Sequence, residues 1–155
     1  MSKKSKKLKR KKNTEFNRQA GMELLVKKSK EPLKEALLVE IGLAYRTAML
    51  AFMEGQGTMT HWNTLAYCLN LGMALTELEV EKEGASAIDA GQTMLESARH
   101  LFDATGQWSI RKHNYIINFA LEVLRRQLEN ASWSQVQAAS AEVMRRNEQA
   151  KRSSH

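Results

Sequence analysis

From Glu31 onward, apolar residues return every three or four positions. That is the spacing of a helix face, not the alternation of a strand. A first helix is predicted over 31–54. At about 100° per residue, Leu33, Leu37, Ile41, Ala44, Ala48 and Phe52 fall on one side of it, with Val39, Leu43 and Leu50 roughly opposite. Two apolar faces predict contacts on two sides. Pro32 stands in the first turn, where its missing N–H costs nothing, and Gly55 and Gly57 supply the stop.

A second helix is predicted over 60–83, ended by Gly84. Trp62, Leu65, Leu69, Met73 and Val80 line one of its faces, and Tyr67, Leu71, Leu75 and Leu78 another. It reads as the most buried helix of the set. A third, over 86–105, has Ser86 as N-cap and Gly106 as stop, with Ala87, Met94, Leu95, Ala98, Leu101 and Phe102 facing inward. A fourth, over 109–130, buries Ile110, Ile116, Ile117, Ala120, Leu124 and Leu128. A fifth, over 132–151, is anchored by Trp133, Val136, Val143 and Met144 and frays in its last turns.

Together these elements predict an all-α protein, a bundle of about five helices over 31–151 with antiparallel neighbours joined by short connections. Residues 152–155 are left as a disordered tail. Ala, Leu, Glu, Arg, Gln and Met, all good helix formers, fit this reading, and a single proline interrupts the 155 residues. The helices follow at similar spacing, but no sequence pattern repeats with them. A chain of this length makes one domain and buries enough surface to need no covalent staple.

Charge changes the picture at one end. Residues 1–30 contain twelve Lys and Arg against Glu15 and Glu23, a net +10, so in a chain of +7 the other 125 residues carry −3. Eight of those cations, Lys3, Lys4, Lys6, Lys7, Lys9, Arg10, Lys11 and Lys12, fall within ten positions. A lysine-dense segment with almost nothing apolar cannot offset its ordering entropy, so 1–30 is predicted to be a flexible basic arm. Such an arm displaces counterions from a phosphate backbone and binds with little regard to sequence. Nucleic acid, DNA or RNA, is therefore the partner expected for the arm, with the eight cations as point charges. Within the lysine-dense stretch 3–12 only Leu8 is apolar, too little to enter a bilayer, so a membrane surface is the less favoured partner. No apolar h-region follows it and no run of 18 apolar residues exists, so neither a signal peptide nor a membrane span is expected. The expected location is cytoplasmic, or nuclear or nucleolar in a eukaryote.

The body offers fewer signals. Residues 102–114, FDATGQWSIRKHN, have the outline of a helix-turn-helix, but Phe102 stands four before Gly106 where a small residue is needed. Arg111, Lys112 and Arg125 on the next helix are secondary candidates for phosphate contact, although Arg125/Glu129 and Asn118/Glu122 are spaced to satisfy one another. Glu96, His100 and Asp103 share a helix face, yet one helix cannot close a metal site, and no metal or other cofactor is expected. His113 is read as a core residue satisfied locally. Asn63, Asn70, Glu77 and Glu81 form a polar stripe, either an exposed edge or a seam against another chain. The run Glu77, Glu79, Glu81, Glu83 opposes the helix dipole and calls for a cation, for which the arm itself is a candidate.

Cys68 has no cysteine partner and reads as a small hydrophobe. There is no phosphate loop, nucleophile elbow, paired-cysteine motif or H-E-x-x-H, so no catalytic residues are assigned and the chain is not read as an enzyme. The favoured reading is a non-catalytic accessory protein whose arm meets nucleic acid while the helical body binds a protein partner or itself. The competing reading is an adaptor or inhibitor whose arm docks on an acidic protein and whose surface near Trp108 and Trp133 makes the specific contact.

Overall fold

The 3.6-residue periodicity resolves into five α-helices in the computed structural model, which describes residues 34–153. They are α1 (Lys34–Met53), α2 (Met59–Glu77), α3 (Ala85–Thr105), α4 (Asn114–Asn130) and α5 (Trp133–Ser153). Two 3₁₀ turns, Lys82–Gly84 and Ile110–His113, precede α3 and α4, and no strand occurs among the described residues. The basic arm lies outside the described residues, as do Pro32 and Leu33. Met1–Ala36 and Leu37–His155 group as separate units, and the packed helical body belongs to the second.

Helix α2 is the centre of the packing, touching α3, α4 and α5. Leu65, Leu69, Leu71 and Leu75 from it are buried with Ile88 and Leu95 of α3, Ile117 and Leu124 of α4, and Val136 and Val143 of α5. Each such side chain contributes on the order of 2 kcal/mol on leaving water. Gly91 sets how closely the helices meet. A Cβ there would stand 2.6 Å from the Ala120 Cβ of α4 and 2.9 Å from Leu69 Cδ1 of α2.

At the start of α2, His61 Nδ1 accepts the Thr58 backbone N–H at 3.0 Å, taking the place that Glu or Gln usually fills in a capping box. At its other end, α2 stops at Glu77, six residues short of the predicted end at 83. Glu79 turns left-handed at φ 65°. Its N–H donates to the Thr76 carbonyl at 2.9 Å, and the Val80 N–H reaches back to Leu75 at 3.0 Å. These are the two bonds of a Schellman cap, with Glu in the position glycine normally takes and the apolar Val80 buried just beyond it. Glu81 is left-handed as well, at φ 47°. Gly84 then serves as N-cap of α3, in place of Ser86.

Three further expectations need correction. The 109–130 helix begins at Asn114, because Ile110 is fully buried and tightens the approach into a 3₁₀ turn. On α1, the face formed by Tyr45, Ala48, Met49 and Phe52 is buried, whereas Val39, Leu43 and Leu50 remain 62%, 59% and 58% exposed. By length and mean hydropathy (1.5) α1 could also cross a membrane. Finally, α5 stays helical through Ser153, and Met144, predicted as an anchor, is exposed while Ala139 is buried.

Candidate functional site

The eight arm cations lie outside the described residues. The three body candidates fall in two environments. Arg111 and Lys112 are exposed on the 3₁₀ turn that leads into α4. Arg125 is held within its own helix: Nε donates to Glu122 at 3.0 Å, and Nη1 bonds Glu129. The hydrogen bond from Arg125 holds the Glu122 carboxyl below its usual range. A phosphate would have to displace two carboxylates to reach this guanidinium.

Three further body arginines are held in the same way. Arg99 donates Nε to both oxygens of Asp103, at 3.1 and 3.2 Å. Arg145 and Arg146 converge on Glu142, whose carboxyl they pull down to about 2, the Arg145 hydrogen bond contributing most. Arg146 also forks onto Glu77 of α2, with Nη1 to Oε1 at 3.1 Å. That guanidinium supplies the cation which the acidic end of α2 lacks in its own sequence. Glu81 accepts from Asn130 Nδ2, and Lys82 pairs with Glu79.

The polar stripe of α2 is thus used inside the chain. Asn70 Oδ1 accepts from Gln92 of α3 at 2.9 Å, Glu77 from α5 and Glu81 from α4, while Asn63 is exposed. Asp103 of the Glu96–His100–Asp103 trio is engaged by Arg99, and among the described residues no group of three His, Cys, Asp or Glu is arranged to hold a metal. His113 is half-buried at the N-cap of α4, not in the core. The helix-turn-helix outline does not form. Eight residues separate α3 from α4, and Phe102 lies flat against Trp108 at 4.1 Å.

Trp108 also meets Phe52 edge-on at 5.3 Å, so its ring closes one end of the bundle. Trp133 starts α5, beyond the far end of the 17-residue α4. That helix is about 25 Å long, so the two tryptophans do not share a surface.

Two features stand outside these expectations. A groove of about 490 Å³ runs between α1, α2 and α5, walled by Leu37, Ile41, Tyr67, Cys68, Leu71 and Val136. The Tyr67 and Ser140 hydroxyls bridge it at 3.0 Å. Burial pushes the Cys68 thiol up to about 12, so it is protonated at neutral pH. On α4, Tyr115 and Phe119 stand in solvent at 67% and 61% exposure, one turn apart. Neither feature carries a residue-type signature: the groove depends on the angle between helices, and i, i+4 aromatics read as ordinary core spacing. Comparison of the chain with protein-family models, with curated proteins and with solved structures returned no match.

Proposed function

We propose that this chain is a non-catalytic, nucleic-acid-associated accessory protein, its basic arm contacting phosphates and its helical body making a protein contact. The observation that carries this reading is the segregation of charge. Eight cations crowd into residues 3–12, while the body's Arg99, Arg125, Arg145 and Arg146 are matched by carboxylates of their own chain. Charge compensated at home contributes little to a polyanion, so the arm is where most of the counterion release would arise. The α1 face bearing Val39, Leu43 and Leu50 supports the contact assigned to the body, with a protein or with a second copy.

The test is a salt titration of binding to random-sequence DNA and RNA. The full chain should show a slope of log K against log salt approaching about −7 on duplex DNA if all eight cations engage. Replacing those eight with Gln should flatten it towards zero. An unchanged slope, or no binding by the intact chain, overturns the reading. If only an acidic protein binds, and the Gln-substituted arm releases it, the adaptor reading takes its place.

A further inference from the structure

The exposed aromatic pair on α4 is the least expected surface of the body, because large rings in water are costly unless something covers them. Tyr115 and Phe119 lie one turn apart on a single face. Arg126 continues that face two turns on from Phe119, and Lys112 stands just before it on the 3₁₀ turn. Both cations are exposed. The order along the helix is therefore cation, ring, ring, cation, over about 21 Å.

We infer that this face of α4 is a platform for single-stranded nucleic acid, with bases stacking on Tyr115 and Phe119 and phosphates meeting Lys112 and Arg126. The inference rests on the nucleic-acid reading above and deepens it by naming the strand state. A duplex keeps its base faces covered and offers a helix only groove edges and phosphates. An unpaired strand offers π-faces, which aromatic side chains take with little regard to sequence. The rings sit about 6 Å apart along the axis, room for one base on each. Two of the three carboxylates near the face are occupied within the chain, and the third, Glu83, lies close enough to Arg126 to be stabilised by its charge. Glu122 accepts from Arg125, and Glu81 accepts from Asn130. Glu83 shares a hollow of about 150 Å³ with Phe119 and Arg126 and could accept from the amino group of a base.

The test uses the full-length chain and fluorescein-labelled 12-mers of dT, of rU and of a mixed-sequence duplex, read by anisotropy at fixed salt. Tyr115→Ser with Phe119→Ser should weaken single-strand binding about 10- to 100-fold and leave duplex binding within twofold. Both positions are exposed, so the thermal midpoint should not move. Tyr115→Phe should retain single-strand affinity, and Lys112→Gln or Arg126→Gln should each lower the salt slope by about 0.7. Equal losses on duplex and single strand, or no loss on either, overturn the inference. If the arm variant alone abolishes binding, the arm reading stands and the platform falls. If the intact chain binds none of the three probes, both fall. Loss of a nuclease-resistant protein partner in the Ser variant, with single-strand affinity unchanged, would assign the face to protein and also overturn it. The dT and rU arms separate DNA from RNA.

Discussion

The side-chain amide of Gln127 donates to the backbone carbonyl of Val80, 47 residues earlier in the chain, at 3.2 Å. The same Nε2 reaches the Gly72 carbonyl at 3.1 Å and Thr76 Oγ1 at 2.9 Å. One fully buried amide thus ties α4 to the left-handed turn that ends α2. Its Oε1 is buried without a partner, a cost offset by the two N–H groups of Nε2, which are shared among the three acceptors. Gln127→Ala should lower unfolding free energy by about 3 kcal/mol, combining a cavity with stranded acceptors. Gln127→Leu keeps the volume and removes the orphaned oxygen, so it should cost about 1 kcal/mol. Urea midpoints at unchanged m-value check both. Equal losses would show that packing is not what separates them.

Glu79 occupies a backbone conformation that disfavours any side chain. Its ion pair with Lys82 spans 4.0 Å on the surface and is worth little. Glu79→Gly should therefore stabilise the fold by about 0.5–1 kcal/mol, and Glu79→Val should destabilise it by about 1–2 kcal/mol. Thermal unfolding of the two variants, compared in sign, is the measurement.

Two helical glycines should respond oppositely to the same substitution. Nothing lies within 4 Å of a Cβ at Gly42, so Gly42→Ala should stabilise by up to about 1 kcal/mol through helix propensity. Gly91→Ala would drive a methyl into the Ala120 Cβ at 2.6 Å and should cost about 1–3 kcal/mol as α3 is wedged from α4. Chemical denaturation that moved both variants in the same direction would contradict this packing.

Glu142, held near 2 by Arg145 and Arg146, ties stability to acid. A carboxyl whose folded pKa lies below its unfolded value of 4.5 contributes fully above that value, and the contribution disappears as pH falls towards 2. Helical CD signal followed from pH 5 to pH 2 should fall more steeply in the wild type than in Glu142→Gln. The difference should shrink in high salt, because the group is exposed.

Cys68 should resist iodoacetamide at pH 8 in the native protein and react fully in urea, since burial keeps its thiol protonated up to about 12. The same shift predicts a stability decline as pH rises from about 9 to about 12. There the unfolded thiol ionises and the folded one does not. Cys68→Ala should remove that part of the alkaline dependence.

The helical periodicity was legible in the sequence because Leu65, Leu69, Ile117 and Leu124 repeat at helix spacing and are all buried. The end of α2 was not legible. A Schellman cap is read from glycine, and here Glu79 takes that place while the amide of Gln127, 47 residues beyond Val80, bonds the Val80 carbonyl and holds the turn. The rings of Tyr115 and Phe119 point outward for a related reason. Periodicity shows that residues share a face, but the neighbours decide which face turns inward, and Leu121, Leu124 and Leu128 take that role on α4. The Arg125–Glu129 pair followed from i, i+4 spacing, whereas the pairs on Asp103 and Glu142 were not read from it. The Arg146–Glu77 link between α5 and α2 had no local signature.

Trp108 lies flat on Phe102 of α3 and edge-on to Phe52 of α1, so one indole touches segments from two distant parts of the chain. With Trp62 and Trp133 replaced by Phe, its emission is a built-in gauge of whether the first helix is seated. Detachment of α1 would change that signal before the remaining helices melted, and no external dye would be needed to follow it.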